Sequence, residues 1–197
     1  MKKVITFLMV IFLVLPLLVS CSKPPELEEI KPIIKKLLTD AVEINDIFYG
    51  EGLPVSSEHD SAYYSSVAEE SKYKTQAEIK TAAQKVYSDS YLNSIENVMF
   101  EDFEDSEDDI TTPRYREVDG VLYKYVNSEN MIKYVREYDF STIKIIKPSN
   151  GRYVTFEINS YGYNFNHDTL EQELSWEVIT LAISLENSVW LLDDPTY

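Results

Sequence analysis

Leu170-Glu171-Gln172-Glu173-Leu174-Ser175-Trp176-Glu177-Val178-Ile179-Thr180-Leu181-Ala182-Ile183-Ser184-Leu185 is the stretch on which the fold turns. In its first half Leu170, Leu174, Trp176 and Val178 alternate with Glu171, Glu173, Ser175 and Glu177. A period of two is that of a strand with one face on helices and the other in water. From Ile179 onward both faces turn apolar, so this half is expected to be buried on both sides. Glu186-Asn187-Ser188 then turns the chain into Val189-Trp190-Leu191-Leu192, a closing strand. Upstream, Val154, Phe156 and Ile158 alternate with Thr155, Glu157 and Asn159 within Arg152 to Tyr161. That run and Phe140 to Lys147 flank the turn cluster Pro148-Ser149-Asn150-Gly151. Tyr115 to Val118 and Val121 to Val126 flank Asp119-Gly120, a strong hairpin signal because a type I′ turn needs positive φ at both central residues.

Before Phe103 the rhythm is helical. Ile30, Ile33, Ile34, Leu37, Leu38, Ala41, Val42, Ile44 and Phe48 recur at steps of three and four, predicting a helix over 26–48 with one apolar stripe. Pro32 suits the first helical position, with the residues before it a looser lead-in. Tyr49-Gly50-Glu51-Gly52 and Pro54 stop the helix. A short second helix is expected over 58–68, capped by Ser57, with Tyr63, Tyr64 and Val67 as its apolar positions. Thr75-Gln76-Ala77-Glu78 has the form of a capping box. Ile79, Ala82, Ala83, Val86 and Tyr87 continue from it. Ser88-Asp89-Ser90 marks a kink or restart, before Tyr91, Leu92, Ile95, Val98 and Met99. Helices followed by antiparallel strands predict an α+β fold, with N-terminal helices packed on a curved antiparallel sheet. No internal repeat or second boundary interrupts residues 26–197, which read as a single domain.

The 197 residues include 34 acidic and 18 basic ones, a formal net charge of −16. Binding to a phosphate backbone needs clustered Lys and Arg, so the balance argues against a nucleic-acid partner. One cysteine excludes an internal disulfide and a cysteine-rich zinc site.

That cysteine has a particular setting. Met1-Lys2-Lys3 is a basic head, Val4 to Ser20 is an uncharged apolar run, and Leu18-Val19-Ser20-Cys21 follows at its end. These residues resemble the lipobox signal peptide of bacterial lipoproteins, with Leu18, Ser20 and Cys21 in its aliphatic, small and invariant-Cys places. The resemblance spans residues 1–21. It implies cleavage before Cys21, a thioether from the Cys21 sulfur to diacylglycerol, and a new N-terminal amine as a further acylation point. Residues 1–20 would be the signal peptide, and 21–25 the lipidated Cys and a short tether. The expected location is the extracytoplasmic face of the cell membrane, with the membrane itself a partner through the anchor. An unmodified Cys at the edge of an ordinary transmembrane anchor is the alternative. Loss of Lys2 and Lys3, and of no acid, takes the formal charge to −18. Such a domain is repelled by an anionic bilayer within roughly 8 Å, so lipid must hold it there; Lys23, Lys31, Lys35 and Lys36 lie nearest the anchor.

In element order, and in the closing hairpin ending Val189-Trp190-Leu191-Leu192-Asp193-Asp194, the chain also resembles the NTF2-like or cystatin-like cone. That resemblance implies a long N-terminal helix across a concave sheet, with a pocket at the open end. Thr75 to Tyr91 followed by the Asp119-Gly120 hairpin is loosely similar to secreted inhibitors of cell-wall DL-endopeptidases.

Candidate chemistry is sparse. Glu101, Asp102, Glu104, Asp105, Glu107, Asp108 and Asp109 fill seven of nine positions. Carboxylate oxygens suit hard cations, but the run lacks the EF-hand pattern, and a solvated helix-to-strand loop is the favoured reading over weak calcium binding. His59-Asp60 and His167-Asp168 fall in expected loops with no catalytic motif around them. No catalytic residue, metal ligand or cofactor site is assigned. Tyr153, Tyr161 and Tyr163 could stack on a ligand or simply present apolar bodies to the core. The expected role is a non-catalytic module binding a small molecule, a cell-wall fragment or an envelope protein. The alternatives are an inhibitor whose acidic surface suits a basic cell-wall hydrolase cleft, and an NTF2-like enzyme with a general base in its pocket. A deep apolar cavity around a buried carboxylate or His would favour the enzyme. A shallow, exposed aromatic or acidic face would favour the binder.

Overall fold

The computed structural model of the chain describes residues 25–61, 63–100, 103–106, 109–126, 136–149, 151–166 and 171–196. The expected signal peptide over 1–20, Cys21 and the expected tether up to Pro24, and His167 therefore lie outside the described residues.

The first helix, α1, spans Leu27–Tyr49 and buries Ile30, Ile34, Leu37, Leu38, Ala41, Ile44, Ile47 and Phe48 along the expected stripe. Pro32 lies inside the helix and not at its first position. It removes one helical hydrogen bond, the one to the Glu28 carbonyl, near an end where the ladder is incomplete. The start is set instead at Glu26, whose backbone N–H donates to the Glu29 carboxylate at 3.2 Å. Val42, placed on the stripe by the sequence, is exposed.

The expected helix over 58–68 is a hairpin: β1 (Val55–Ser61) and β2 (Tyr64–Val67) pair antiparallel. Serine and tyrosine dominate this stretch and favour extended structure, and a tertiary partner decides the matter. Tyr64, Ser65 and Ser66 of β2 pair with Tyr125, Lys124 and Tyr123. His59 accordingly sits in β1, opposite Ser65, and not in a loop; its side chain is not among those described.

Two helices follow. In α2 (Gln76–Ala83) the Thr75 hydroxyl accepts the Glu78 N–H at 3.1 Å, as the capping-box pattern predicts. The returning carboxylate of Glu78 reaches one residue further back, to the Lys74 N–H at 2.6 Å. The restart expected at Ser88-Asp89-Ser90 is observed: α3 spans Asp89–Phe100, and the Ser88 hydroxyl accepts the Tyr91 N–H at 3.1 Å. Within the acidic run, where a loop was expected, β3 (Phe103–Ser106) pairs with β4 (Asp109–Thr111), while Glu101, Asp102, Glu107 and Asp108 lie outside the described residues. The side chains of this hairpin are outside the description.

The remaining strands are β5 (Tyr115–Val118), β6 (Val121–Tyr125), β7 (Arg136–Ser149), β8 (Tyr153–Asn166), β9 (Glu171–Glu186) and β10 (Val189–Leu192). The class is α+β, but the strands form two four-stranded antiparallel sheets where one was expected. Their orders are β1-β2-β6-β5 and β10-β9-β8-β7. The β5–β6 turn holds Asp119 at φ 49° and Gly120 at φ 78°, and the β9–β10 turn holds Asn187 at 47° and Ser188 at 68°. Both show the paired positive φ of a type I′ turn.

One apolar core joins the parts. Val154, Phe156, Ile158, Leu181 and Ile183 on one face of the β7–β10 sheet cluster with the α1 stripe, with Ile79 and Ala83 of α2, and with Tyr115 and Leu122 of the other sheet. The half of β9 expected to be buried on both sides is so at Leu181, Ala182 and Ile183. Strand β7 is bulged. Its step from Asp139 to Lys144 faces the shorter step from Asn159 to Glu157 on β8. The Thr142 hydroxyl fills the gap in the ladder by accepting the Asn159 N–H at 2.9 Å. Such bulges bend a strand and add twist.

Candidate functional site

The face of the β7–β10 sheet away from the core is where the structure departs most from the alternation argument. Cross-strand pairs set Tyr161 opposite Trp176 and Asn159 opposite Val178. Leu174, Trp176 and Val178 of β9 share this face, and they are 41%, 56% and 63% exposed. The alternation was read correctly as a strand, but the apolar row points away from the helices. The core-facing row of the same half is Ser175 and Glu177, with Ser160 of β8 buried beside them. The Tyr161 and Trp176 rings lie 5.5 Å apart with planes inclined at 42°. Tyr161, singled out in the sequence as a stacking candidate, thus belongs to an aromatic pair on an open face. Tyr153 lies on the same strand at its other end and is also exposed. Burial and the neighbouring Asp194 and Asp193 push its phenol pKa upward. The side chain of Tyr163 is not described.

The charged groups beside the strip are mostly acids. Glu137 pairs with Tyr161, Asp139 with Asn159, and Lys144 with Glu157; Lys144 Nζ lies 3.6 Å from the Glu157 carboxylate. Hydrogen bonds from the Ser141 hydroxyl and N–H hold the Asp139 carboxyl below the usual range, so it stays ionised.

A second polar cluster closes the C-terminus of α1. This helix has no basic residue in its last turn, and the cations come from Arg114, just before β5, and Lys124 of β6. Arg114 Nε donates to the Ile47 carbonyl at 2.7 Å, and its Nη2 donates to the Gly50 carbonyl. Lys124 Nζ donates to the Glu51 and Leu53 carbonyls at 2.8 and 2.5 Å. The Tyr115 hydroxyl donates to the Ile47 carbonyl at 3.1 Å and accepts the Leu53 N–H at 3.0 Å. These groups satisfy carbonyls that a helix end leaves orphaned, and cations suit its negative pole. Burial, and then the Arg114 charge, push Lys124 down to about 8. The Arg114 and Lys124 bonds named here all end on backbone carbonyls, and the cluster acts as a helix cap.

A third cluster holds the C-terminal end. The Tyr87 hydroxyl donates to Asn45 Oδ1 at 2.6 Å and lies 2.7 Å from Thr196 Oγ1, to which Asn45 Nδ2 donates at 2.6 Å. All three residues are buried.

The cavities are of two kinds. The space between α1, α2 and α3, lined by Phe48, Ala83, Leu92 and Phe100, holds about 70 Å³. Ligand pockets run roughly 300–1,000 Å³, so this space is too small for a metabolite. A shallow groove of about 590 Å³ lies between α1 and α2, with Asp40, Glu43, Lys72, Glu78 and Lys85 on its walls. Lys72 and Glu43 are paired across it at 2.6 Å. The buried polar residues among those described are Asn45, Ser65, Ser66, Ser71, Ser88, Arg114, Lys124, Ser160 and Thr196, with no carboxylate or histidine among them. No cluster of three metal-ligating side chains occurs among the described residues. No described helix is long and apolar enough to cross a membrane.

No protein-family model matches the chain, and no curated protein matches it. The apolar strip escaped the sequence reading because a two-residue period identifies opposite faces without saying which one meets the core. The signal that distinguishes them is Val154, Phe156 and Ile158 on the neighbouring strand, whose register with β9 fixes the buried side.

Proposed function

We propose that the chain is a lipid-anchored protein of the extracytoplasmic face of a bacterial cell membrane, and that it works by binding a partner there and not by catalysis. The anchor rests on Leu18-Val19-Ser20-Cys21 behind a basic head and an apolar run. A diacylglycerol thioether plus a further acyl chain holds a protein stably at a bilayer, at about 0.8 kcal/mol per buried methylene. The binding role rests on one observation: the solvent-facing row of Leu174, Trp176 and Val178 with the Tyr161 ring beside it. Isolated exposed apolar residues are ordinary, but a contiguous row on a rigid sheet marks an interaction surface. The α1 helix packed on the four-stranded sheet is compatible with an NTF2-like or cystatin-like cone, and that family assignment is part of the proposal.

The test of location is mass spectrometry of the native product. The expected species begins at Cys21 and carries lipid mass, and Cys21→Ala moves the chain from the membrane to the soluble fraction or leaves it uncleaved. An intact Met1 with a bare thiol on the wild-type product would refute the anchor.

A further inference from the structure

The core-facing side of the β7–β10 sheet changes character at one end. After the apolar pair Ile158–Ile179 come Ser160 opposite Glu177 and Gly162 opposite Ser175, with Tyr138 and Arg136 beside them on β7. Ser160 and Gly162 are buried, whereas the Glu177 side chain is 44% exposed. This polar recess therefore has its floor on β7 and β8 and its mouth over β9. The Arg136 side chain lies in it and is only 7% exposed. Its guanidinium stays protonated, and a buried cation needs close partners. Here they are incomplete. Nη1 donates to the Ser160 hydroxyl at 3.2 Å. The Glu177 carboxylate stands 3.8 Å from the same nitrogen, beyond hydrogen-bond reach. Nε–H is buried and has no acceptor among the described residues. The buried Arg114, by contrast, has its Nε on the Ile47 carbonyl. A buried donor without an acceptor is costly, and such an orphan in a native fold calls for an occupant.

We propose that this recess binds the carboxylate of a small monoanionic ligand. On a guanidinium, Nε–H and the neighbouring Nη2 group form a fork that matches the two oxygens of a carboxylate. Nη1, on the opposite side, keeps its bond to Ser160. Glu177 is part exposed and makes no hydrogen bond to Arg136, so it turns to solvent as the ligand enters over β9. It also sets the charge of the ligand. A carboxylate at the mouth opposes one further negative charge and opposes two more strongly, which selects a monocarboxylate over a dianion such as sulfate. The recess shares no residue with the strip of Leu174, Trp176, Val178 and Tyr161, and the inference depends neither on that strip nor on the anchor.

The experiment is a nuclear magnetic resonance titration of the full chain in a zwitterionic detergent with nitrogen-15-labelled arginine. The Nε–H groups of Arg114, Arg116, Arg136 and Arg152 are the only ones of this kind in the sequence. Through-bond correlation to the backbone assigns the Arg136 signal, so the central measurement needs no substitution. Sodium acetate replaces sodium chloride at constant ionic strength. The expected result is a saturable shift of the Arg136 signal with a millimolar midpoint, and slower exchange of that proton with water. Arg152, just before β8 at the other end of the same sheet, should not move. Sodium sulfate should bind at least tenfold more weakly than acetate. Glu177→Gln, at an exposed position, should tighten acetate roughly fivefold and sulfate by more. An Arg136 Nε–H already protected from exchange without acetate would show that the donor has a partner, and overturns the inference. So does a shift common to all four arginines, or no shift in the millimolar range. Equal affinity for acetate and sulfate, unchanged in Glu177→Gln, overturns it as well, because the ligand is then not selected by charge.

Discussion

Tyr161 and Trp176 face each other across β8 and β9 with ring centroids 5.5 Å apart, on the side of the sheet that the core leaves open. A cross-strand aromatic pair contributes roughly 0.2–1 kcal/mol. Substitution of Trp176 by Thr, a residue that keeps strand propensity, should therefore lower stability by no more than about 1 kcal/mol. Phe156, fully buried one strand away, gives the contrast. Phe156→Ala should cost about 3–5 kcal/mol by emptying a site in a packed core. Urea denaturation of the two variants measures both. A large loss at Trp176 would mean that the row supports the fold and is not held ready for a partner.

Lys124 makes stability depend on pH in the alkaline range. Its folded pKa, pushed down to about 8, lies below the ordinary 10.5 because burial and Arg114 disfavour the charged form. Between these values the unfolded chain holds a proton that the folded chain has released, so unfolding takes up a proton. Stability from this residue thus rises as pH increases from about 8 towards 10.5. The neutral amine still has two N–H groups for the Glu51 and Leu53 carbonyls, so both bonds survive. Partial solvation reduces the effect to the order of 1 kcal/mol. Denaturant midpoints at pH 7.5 and 9.5 should show the rise in the wild type and not in Lys124→Met. Higher pH is unsuitable, because Tyr115, whose pKa burial raises, contributes in the opposite direction above 10.

The same cluster shows what could be read from the sequence and what could not. The α1 stripe, the Thr75 cap, the restart at Ser88 and the turns at Asp119-Gly120 and Asn187-Ser188 are local, and each was readable from spacing or from turn chemistry. The C-terminal cap of α1 joins Ile47 to Arg114 and Leu53 to Lys124, across 67 and 71 residues. No window of sequence contains both ends. The expected helix over 58–68 failed for a related reason: Tyr64, Ser65 and Ser66 are strand because Tyr125, Lys124 and Tyr123 are beside them. The exposed strip on β9 needed the register with β8. The lipidation proposed at Cys21 is the opposite case: it rests on sequence alone, outside the described residues.

The Asn45–Tyr87–Thr196 cluster predicts that the C-terminal residues act as a structural tie. Tyr87→Phe removes one hydroxyl that bonds Asn45 and contacts Thr196 at 2.7 Å. The remaining buried polar atoms cannot turn to water, so the cost should be about 1–3 kcal/mol. Thr196→Val should cost a similar amount. Because the two side chains share partners, the double variant should lose less than the sum of the single losses, with a coupling of about 0.5–3 kcal/mol. Strict additivity in thermal or urea unfolding would show that the three groups do not act as one network.

Positive φ gives the final prediction, an ordering of three substitutions. Ser188 stands at φ 68° in the β9–β10 turn. A Cβ in this region costs roughly 1–2 kcal/mol, less where a short polar side chain bonds locally. Ser188→Gly removes that strain and adds about 0.5–1 kcal/mol of unfolded-chain entropy, so a net gain of a few tenths of a kcal/mol is expected. Gly120→Ala is the reverse change at φ +78°, with no atom within 4 Å of the new Cβ. Its cost should be conformational alone, about 1 kcal/mol. At Gly52, φ +74°, the new Cβ would lie 2.6 Å from the Tyr115 hydroxyl and 2.7 Å from Arg114 Nη2. Accommodating it means moving the groups that cap α1, so Gly52→Ala should exceed Gly120→Ala by at least about 1–2 kcal/mol, the value of a displaced buried hydrogen bond. Denaturant midpoints for the three variants should fall in the order Ser188→Gly, Gly120→Ala, Gly52→Ala. If Gly52→Ala matched Gly120→Ala, the Arg114–Tyr115 cap would be looser than its hydrogen bonds indicate.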